Sequence, residues 1–381
     1  MRIMHLALSC FYIDNYNYQE NVIPRLNKRD NHEVMILAST ETYINNNEIG
    51  YTHPKKYINE DGIPVVRLRY KKYLPLKIVS KIRIYENTLK YIEDFKPDVI
   101  MFHGTAAAEI LKVKKYKKTN PNVKFYVDSH EDFNNSAKSY VSKYFLHSLF
   151  YKPILKRTLK YIDKIFYISL ESYEFMHNFY KVPSEKLEFL PLGGKIIDKE
   201  EYAMKRKKAR EELNIKDEEL LILHSGKMNK DKKTLELLKA FTRINSIKLK
   251  LILIGSIGDE IREEVLSLIS SDQRINFLGW KNKEEMYEFL CATDLYAQPG
   301  SQSATLQNAI CARCPVMVFP YKSHEPYITG NGFKVENIEE ISEVFVKVNE
   351  NPEILNEMKE NSQKIGKELL DYNKLSRRVT F

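Results

Sequence analysis

Four lysines, at 227, 230, 232 and 233, crowd one short segment of LLILHSGKMNKDKKTLELLKAF (220–241). Residues 220–224 read as a strand that ends at Ser225 and Gly226. Leu235, Leu238 and Phe241 recur at helical spacing, so a helix is expected from about Asp231, a plausible N-cap. Cations are disfavoured at the positive end of a helix. A bound anion is the simplest compensation, and strand–loop–helix is the usual geometry for a phosphate; a solvated lysine cluster is the plain alternative. A second anion-type turn follows at Gly300, Ser301, Gln302 and Ser303, with Ser303 expected to cap a helix over 304–312. Small residues there let backbone N–H groups, those of Ala304 and Thr305 included, approach a phosphate. The two loops together suit a diphosphate. Two histidines follow strands in the first half, His103 in MFHGTA and His130 in VDSHEDF. His130 stands beside Asp128, Glu131 and Asp132, so a carboxylate can orient or charge it for proton transfer.

Other chemistries lack their residues. Cys311-Ala-Arg-Cys314 has no second pair and no histidine cluster nearby, and reads as structural. His130-Glu131 does not continue to H-E-x-x-H, and neither G-x-x-x-x-G-K-[ST] nor D-x-D occurs. No metal and no cofactor are therefore expected.

The elements that position these residues alternate short apolar runs with helical segments, the pattern of parallel α/β architecture. Strands are expected at 2–8, 34–38, 64–68, 98–102, 124–127 and 164–168, then at 220–224, 248–254, 275–278, 294–297 and 315–319. Helical periodicity marks 76–95, 200–213 and 284–291. The pattern breaks at Pro191-Leu-Gly-Gly194. Two Rossmann-like, doubly wound domains are expected, 1–192 and 193–365, with a C-terminal helix at about 366–381 returning to the first. Ligands in such sheets bind beyond the carboxyl ends of the strands, so two facing domains with a cleft between them are expected.

The chain has 381 residues, 43% hydrophobic and 12% aromatic, which suits two globular domains. No run approaches the ~18 apolar residues of a membrane span. MRIMHLALSC reads as a first strand and not as a signal peptide. Four cysteines suit a reducing compartment, so a cytoplasmic location is expected. Net charge is +9, and the acid-free stretch from Arg67 to Arg83 holds seven basic residues and two tyrosines. Such a stretch fits the anionic inner face of a membrane, as a peripheral contact. The stretch 140–164 also mixes aromatics with Lys and Arg, and reads as an amphipathic helix with its aromatics inward. Nucleic acid is not expected, because no recognition module is present.

With these residues in view, the chain resembles the two-domain (GT-B) glycosyltransferases of the group-1, family-4-like type over nearly its whole length. GKMNKDKKTLELLKAF is similar to that family's G-R-x-x-x-x-K-G-x-x-x-L-x-x-A-F segment. The resemblance implies that Lys227 and Lys232 bind the donor diphosphate. LILIGSIGDE, with Gly255, resembles the strand and glycine turn that follow, and INFLGWKNKEEMYEFLCATDLYAQPG implies a nucleotide-base contact near Trp280 and Lys281. QNAICARCPVM aligns with the family's LEAMACGLPVI. His130 falls where the family histidine sits beside the transferred sugar. The chain departs from the pattern in several places. Asn308 replaces the glutamate that holds the ribose. The other glutamate of the pair falls near Gly300 in a shortened turn, which leaves Ser301 and Gln302 to read the sugar. Lys227 replaces an arginine and Arg313 a glycine. The segment Tyr16-Asn-Tyr-Gln-Glu20 stands in place of a glycine-rich loop, which puts Gln19 and Glu20, with His103, on the acceptor side. The resemblance implies sugar transfer from a nucleoside diphosphate sugar to a hydroxyl acceptor, metal-independent and retaining. A glycan or lipid-linked acceptor in surface polysaccharide synthesis is implied. The rival readings are an epimerase or phosphorylase on the same scaffold and a nonenzymatic sugar-nucleotide-binding subunit.

Overall fold

The computed structural model describes residues 1–45, 48–73, 75–133, 136–137, 139–140 and 142–380. Leu74, Val141 and Phe381, which belong to the two basic stretches and the C-terminal segment, lie outside the described residues. The chain divides into two compact units, Met1–Pro191 with Tyr372–Phe381, and Leu192–Asp371. The returning segment thus begins at Tyr372, later than residue 366.

The strands of the first unit are β1 (Arg2–Ala7), β2 (Glu33–Ser39), β3 (Glu41–Asn45), β4 (Glu48–Tyr51), β5 (Lys55–Ile58), β6 (Pro64–Leu68), β7 (Val99–His103), β8 (Lys124–Ser129), β9 (Lys164–Tyr167) and β10 (Leu187–Phe189). Eight of them form one sheet in the order β10-β9-β8-β7-β1-β2-β6-β5, and β3 pairs with β4 separately. All ladders of the large sheet are parallel except β5–β6. The central strands are apolar on both faces because helices cover both, as β7 shows with every residue buried. The strand order reverses between β1 and β7, so their carboxyl ends open a crevice. The segment 76–95 is two helices, Leu76–Ile82 and Thr88–Phe95, instead of one. Arg83 and Asn87 adopt left-handed φ values of 53° and 62° between them, which no helix continues through. The C-terminal helix Tyr372–Arg377 lies on the helix Gln19–Arg29: Leu375 and Val379 join Ile3, Ile23, Val99 and Met101 in one apolar cluster.

The second unit carries β11 (Leu220–Met228), β12 (Leu249–Ile257), β13 (Ile275–Phe277), β14 (Leu295–Gln298), β15 (Val316–Val318) and β16 (Gly332–Lys334). They form a wholly parallel sheet in the order β13-β12-β11-β14-β15-β16. The reversal falls between β11 and β14, the strands that precede the two anion-type loops. Helix starts follow their side chains: Asn282 and Glu285 form a capping box for Lys283–Ala292, and Asp198 caps Lys199–Glu212. Away from those loops, buried Asp294 receives Arg206, Arg210 and Lys359 at 2.7, 3.0 and 2.9 Å and the Leu221 N–H at 2.9 Å. That cluster ties two flanking helices to the amino end of β14.

Candidate functional site

The local structure of the lysine segment differs from the expectation. β11 runs on through Met228, so Lys227 is an exposed strand residue and not a helix-start residue. Asn229, not Asp231, is the cap: its side chain accepts from the Lys232 N–H at 3.0 Å and closes a 3-10 turn over Lys230–Lys232. Lys233 then takes a left-handed φ of 53°, and the helix starts at Thr234. The reason is the neighbouring strand. β12 is equally long and pairs with β11 through Met228 and Ile257. Gly226 and Gly255 face each other there at φ 124° and 136°, where a Cβ on Gly255 would lie 2.0 Å from the Gly226 oxygen.

The two anion-type loops are joined. Gly300 packs on the backbone of Asp231 and Lys232, where a Cβ would meet the Asp231 oxygen at 2.2 Å. The Ser301 N–H donates to the Asp231 oxygen at 2.7 Å. Lys232 reaches back, its Nζ donating to the Ser301 and Gln302 carbonyls at 2.8 and 2.9 Å. Gln298, fully buried, holds the Ser301 carbonyl as well, at 3.2 Å. The Lys232 side chain is only 7% exposed, and burial lowers its pKa from 10.5 to about 8. An ammonium so poorly hydrated interacts strongly with any anion that approaches. Lys230 is exposed, while Lys233 is engaged with the Glu336 carbonyl at 2.6 Å.

Ser303 accepts from the Thr305 N–H at 3.3 Å, and the helix spans Thr305–Cys311, one residue shorter at each end than expected. Ala304 is exposed and Thr305 half-buried beside it. Gln302 is exposed and donates to the Ser323 hydroxyl at 2.6 Å. Asn308 is half-buried: its Oδ1 accepts from the Tyr287 hydroxyl at 2.8 Å, and that hydroxyl accepts from the Lys195 N–H at 3.2 Å. One of its polar atoms is thereby committed inside the unit. Trp280 is 75% exposed, and Lys281 pairs with Glu285 at 3.4 Å. The Gly255 N–H donates to the Gly279 carbonyl at 2.8 Å, which joins the ends of β12 and β13. Arg313 has φ 68°, which accounts for glycine at this place in the resembling family. Cys311 and Cys314 are buried free thiols.

In the first unit His130 follows β8, its side chain 30% exposed and its Nε2 3.6 Å from Asp128 Oδ1. Burial, the largest single effect, would lower its pKa, but the charge and hydrogen bond of Asp128, joined by the charges of Glu20 and Glu131, together raise it to about 9. His103 corrects the expectation of an acceptor-side residue. It is wholly buried, with Nδ1 2.6 Å from Asp128 Oδ2 and Nε2 3.1 Å from His5 Nδ1, so it stands behind Asp128 and touches no acceptor. Gln19 and Glu20 are also buried, at 2% and 8% exposure, at the start of their helix. Sequence reasoning missed His5, a histidine in the middle of an apolar strand; that placement is the one signal it leaves. Among the described residues no group of three or more His, Cys, Asp or Glu is placed to hold a metal ion.

The basic stretch needs a correction too. Arg67 is an internal residue, 2% exposed, bonded to Asp14 at 2.9 Å and to the Ser39 and Tyr12 carbonyls. Arg83 pairs with Glu41 at 3.5 Å. Lys72, Lys77 and Lys81 are exposed, with Tyr73, Leu76 and Ile78 exposed among them. In the second stretch His147 and Tyr151 point inward as expected, whereas Tyr140, Tyr144, Phe145 and Leu149 are exposed. No helix among the described residues is long and apolar enough to cross a membrane.

Residues 205–365 match the sequence profile of the family described as "Glycosyl transferases group 1". No curated protein matches the chain. Solved structures match over its whole length. A glycosyltransferase from Rickettsia africae is 15% identical with a TM-score of 0.68, covering 99% of this chain and 96% of its own. A sucrose-phosphate synthase from Thermosynechococcus elongatus is 13% identical with a TM-score of 0.67, covering 100% and 97%. Anabaena HepE, solved in complex with UDP, is 14% identical with a TM-score of 0.67, covering 100% and 98%. The chain thus has the fold of the two-domain (GT-B) glycosyltransferases, and the stretch that matches the group-1 profile lies in its second unit. The profile match favours sugar transfer over the epimerase, phosphorylase and binding-subunit readings.

Proposed function

We propose that the second unit binds the donor diphosphate at the joined loops after β11 and β14, and that the first unit presents the acceptor near His130. The observation that carries this is the Lys232 ammonium, buried between the two loops at the point where the strand order reverses. Lys227 and Lys232 would stabilise the leaving diphosphate as charge develops, with the backbone of Ser303, Ala304 and Thr305 beside them, a role that needs no metal. Ser301, Gln302 and Asn308 would contact the sugar or ribose, and the segment from Gly255 to Trp280 and Lys281 the base. UDP is the first nucleotide to test, since HepE was solved with it. His130, charged below about pH 9, would orient the sugar or hold a proton at its ring nitrogen. A retaining outcome is part of this reading.

A thermal-shift panel of nucleoside diphosphates tests it, because a ligand of the native state raises its stability. The expected result is a rise with one base and loss of that rise in Lys227→Ala, whose exposed side chain leaves the unliganded protein intact. No shift with any nucleotide would overturn the reading.

The acceptor is proposed as a growing surface glycan or lipid-linked sugar at the inner membrane face. WaaG, described as a glycosyltransferase of lipopolysaccharide biosynthesis, is 14% identical with a TM-score of 0.65. Support within the chain comes from the exposed mixture of Lys72, Lys77 and Lys81 with Tyr73, Leu76 and Ile78. Flotation with anionic vesicles should be lost on Lys72→Gln, Lys77→Gln and Lys81→Gln together. Unchanged flotation would remove this patch as the contact.

A further inference from the structure

The segment that follows the His130 loop turns its apolar side outward. Ser142–Tyr151 is wound with i→i+5 bonds, so residues four and five apart share a side, and it runs on into the helix Lys152–Thr158. One side is fixed to the core. His147 Nδ1 lies 2.6 Å from the Tyr180 hydroxyl, and the His147 ring packs on Tyr151, Phe175 and Tyr180 with centroids 5.5, 5.5 and 5.9 Å apart. The other side carries Tyr140, Tyr144, Phe145 and Leu149, exposed by 71, 44, 58 and 69%. Rolling the segment to bury them would strip His147 from Tyr180 and expose Tyr151, so the fold itself holds this face in water. Its start is tied to the His130 loop: Lys143 Nζ stands 5.0 Å from the centre of the Phe133 ring, and Phe133 packs on Phe175 and Phe179 at 5.0 and 5.6 Å. Single exposed apolar residues are ordinary, whereas a contiguous face of them marks a partner.

The charge around this face selects the partner. From Phe133 to Ile162 the chain has no acid and six basic residues, Lys138, Lys143, Lys152, Lys156, Arg157 and Lys160. Lys156, Arg157 and Lys160 are exposed, and Lys152 Nζ lies 5.5 Å from the centre of the Phe179 ring. The Tyr151 hydroxyl donates to the Lys81 carbonyl, which joins the end of this segment to the helix Leu76–Ile82 and its own exposed Leu76, Lys77 and Ile78. An apolar face ringed by cations and free of carboxylates complements a surface that is anionic outside and apolar a little deeper. The headgroup region of an anionic bilayer is such a surface. We propose that Tyr140, Tyr144, Phe145 and Leu149 insert into an anionic lipid surface, with the flanking lysines and Arg157 among its headgroups. Tyrosine hydroxyls and ammonium groups stay at the polar boundary while rings and stems enter. Insertion rests on the membrane part of the reading above, and adds to charge attraction a contact that salt does not screen. Through Lys143 and Phe133 it holds the His130 loop beside the bilayer.

Co-sedimentation of the full chain with vesicles tests this. Vesicles of phosphatidylcholine and phosphatidylglycerol in equal parts should bind the protein, and phosphatidylcholine alone at least about tenfold less. At about 1 M salt the Debye length falls to about 3 Å, so a contact made by lysines alone is released, whereas an inserted face keeps part of the protein bound. Tyr144→Ser, Phe145→Ser and Leu149→Ser together should abolish the salt-resistant part and weaken binding at about 0.1 M salt by at least about tenfold. A melting curve shows whether that variant is folded. Phe145→Trp reads insertion in an otherwise intact chain: bromine-labelled acyl chains should quench its emission, with wild type, whose single tryptophan is Trp280 of the other unit, as the control. Emission quenched no more than in wild type, complete release of wild type by salt, or equal binding by the folded triple variant would each overturn the insertion. Equal binding to phosphatidylcholine alone would overturn the anionic partner. A wild-type dimer that the triple variant turns into a monomer, with vesicle binding unchanged, would give the face to a second copy of the chain. Lys72→Gln, Lys77→Gln and Lys81→Gln together should leave the salt-resistant part in place, so failure of that patch and failure of this face are told apart.

Discussion

Replacing Lys232 by methionine separates two effects that the ammonium combines. In the unliganded protein the charged form is disfavoured, since burial brings the pKa from 10.5 to about 8, a difference equivalent to about 3 kcal/mol. Methionine keeps the apolar stem and abolishes that cost, while the carbonyls of Ser301 and Gln302 lose their donor. Each lost charge-assisted bond costs roughly 1.5–3 kcal/mol, and Gln298 still serves Ser301. The opposing effects nearly cancel, so the melting temperature of the free protein should stay within about 4 °C of wild type. Donor binding has no such cancellation. A unit charge about 4 Å from a phosphate oxygen at an effective dielectric near 20 contributes about 4 kcal/mol, less after screening. Loss of roughly 2–4 kcal/mol weakens the nucleotide by about 30- to 1000-fold. Calorimetric titration with UDP, paired with melting curves, measures both. UDP affinity within about threefold of wild type would refute the diphosphate assignment of Lys232. Unchanged affinity together with a large fall in melting temperature would make it a loop fastener only.

The same lysine gives a pH dependence: UDP affinity should fall as pH rises through about 8, and binding at pH 8–9 should take up a proton, visible in buffers of different ionisation heat. The sign for stability is the reverse, because the folded lysine deprotonates near 8 and the unfolded one near 10.5, so its contribution rises across that window. Gly300→Ala puts a methyl group 2.2 Å from the Asp231 oxygen. It should cost about 1–3 kcal/mol and abolish the UDP-induced thermal shift; a normal shift would show that the loops need not be joined. His130 is the opposite electrostatic case, with a folded pKa raised to about 9 from 6.5. Its stabilisation is complete below 6.5 and lost as pH rises through 9, so wild type should lose stability over that window relative to His130→Gln. Equal pH profiles in urea unfolding would contradict the Asp128–His130 pairing.

What could be read from the chain itself followed from burial. Parallel strands covered on both faces must be apolar throughout, so β1, β2, β7, β8, β11, β12 and β14 stand out as short runs. Strands without that burial do not. β5 is Lys-Lys-Tyr-Ile with none of its residues buried, and β10 and β16 are three residues long, so no pattern has room to develop. The break at Arg83 was invisible because nothing in its residue type requires a left-handed φ.

The sequence by itself determined the two α/β halves, the lysine-rich and small-residue loops that follow strands in the second half, and the placement of His130 after a strand, since all three rest on local pattern and spacing. Tertiary structure decided how those pieces are used. β12 draws β11 on past Gly226, which moves Lys227 off the helix start and turns Lys232 inward onto Ser301 and Gln302. The chain Asn27–His5–His103–Asp128 assembles residues from β1, β7, β8 and the first helix, far apart in sequence. No local pattern encodes such a chain, because its chemistry depends on which lone pair faces which hydrogen, and only the folded backbone sets that.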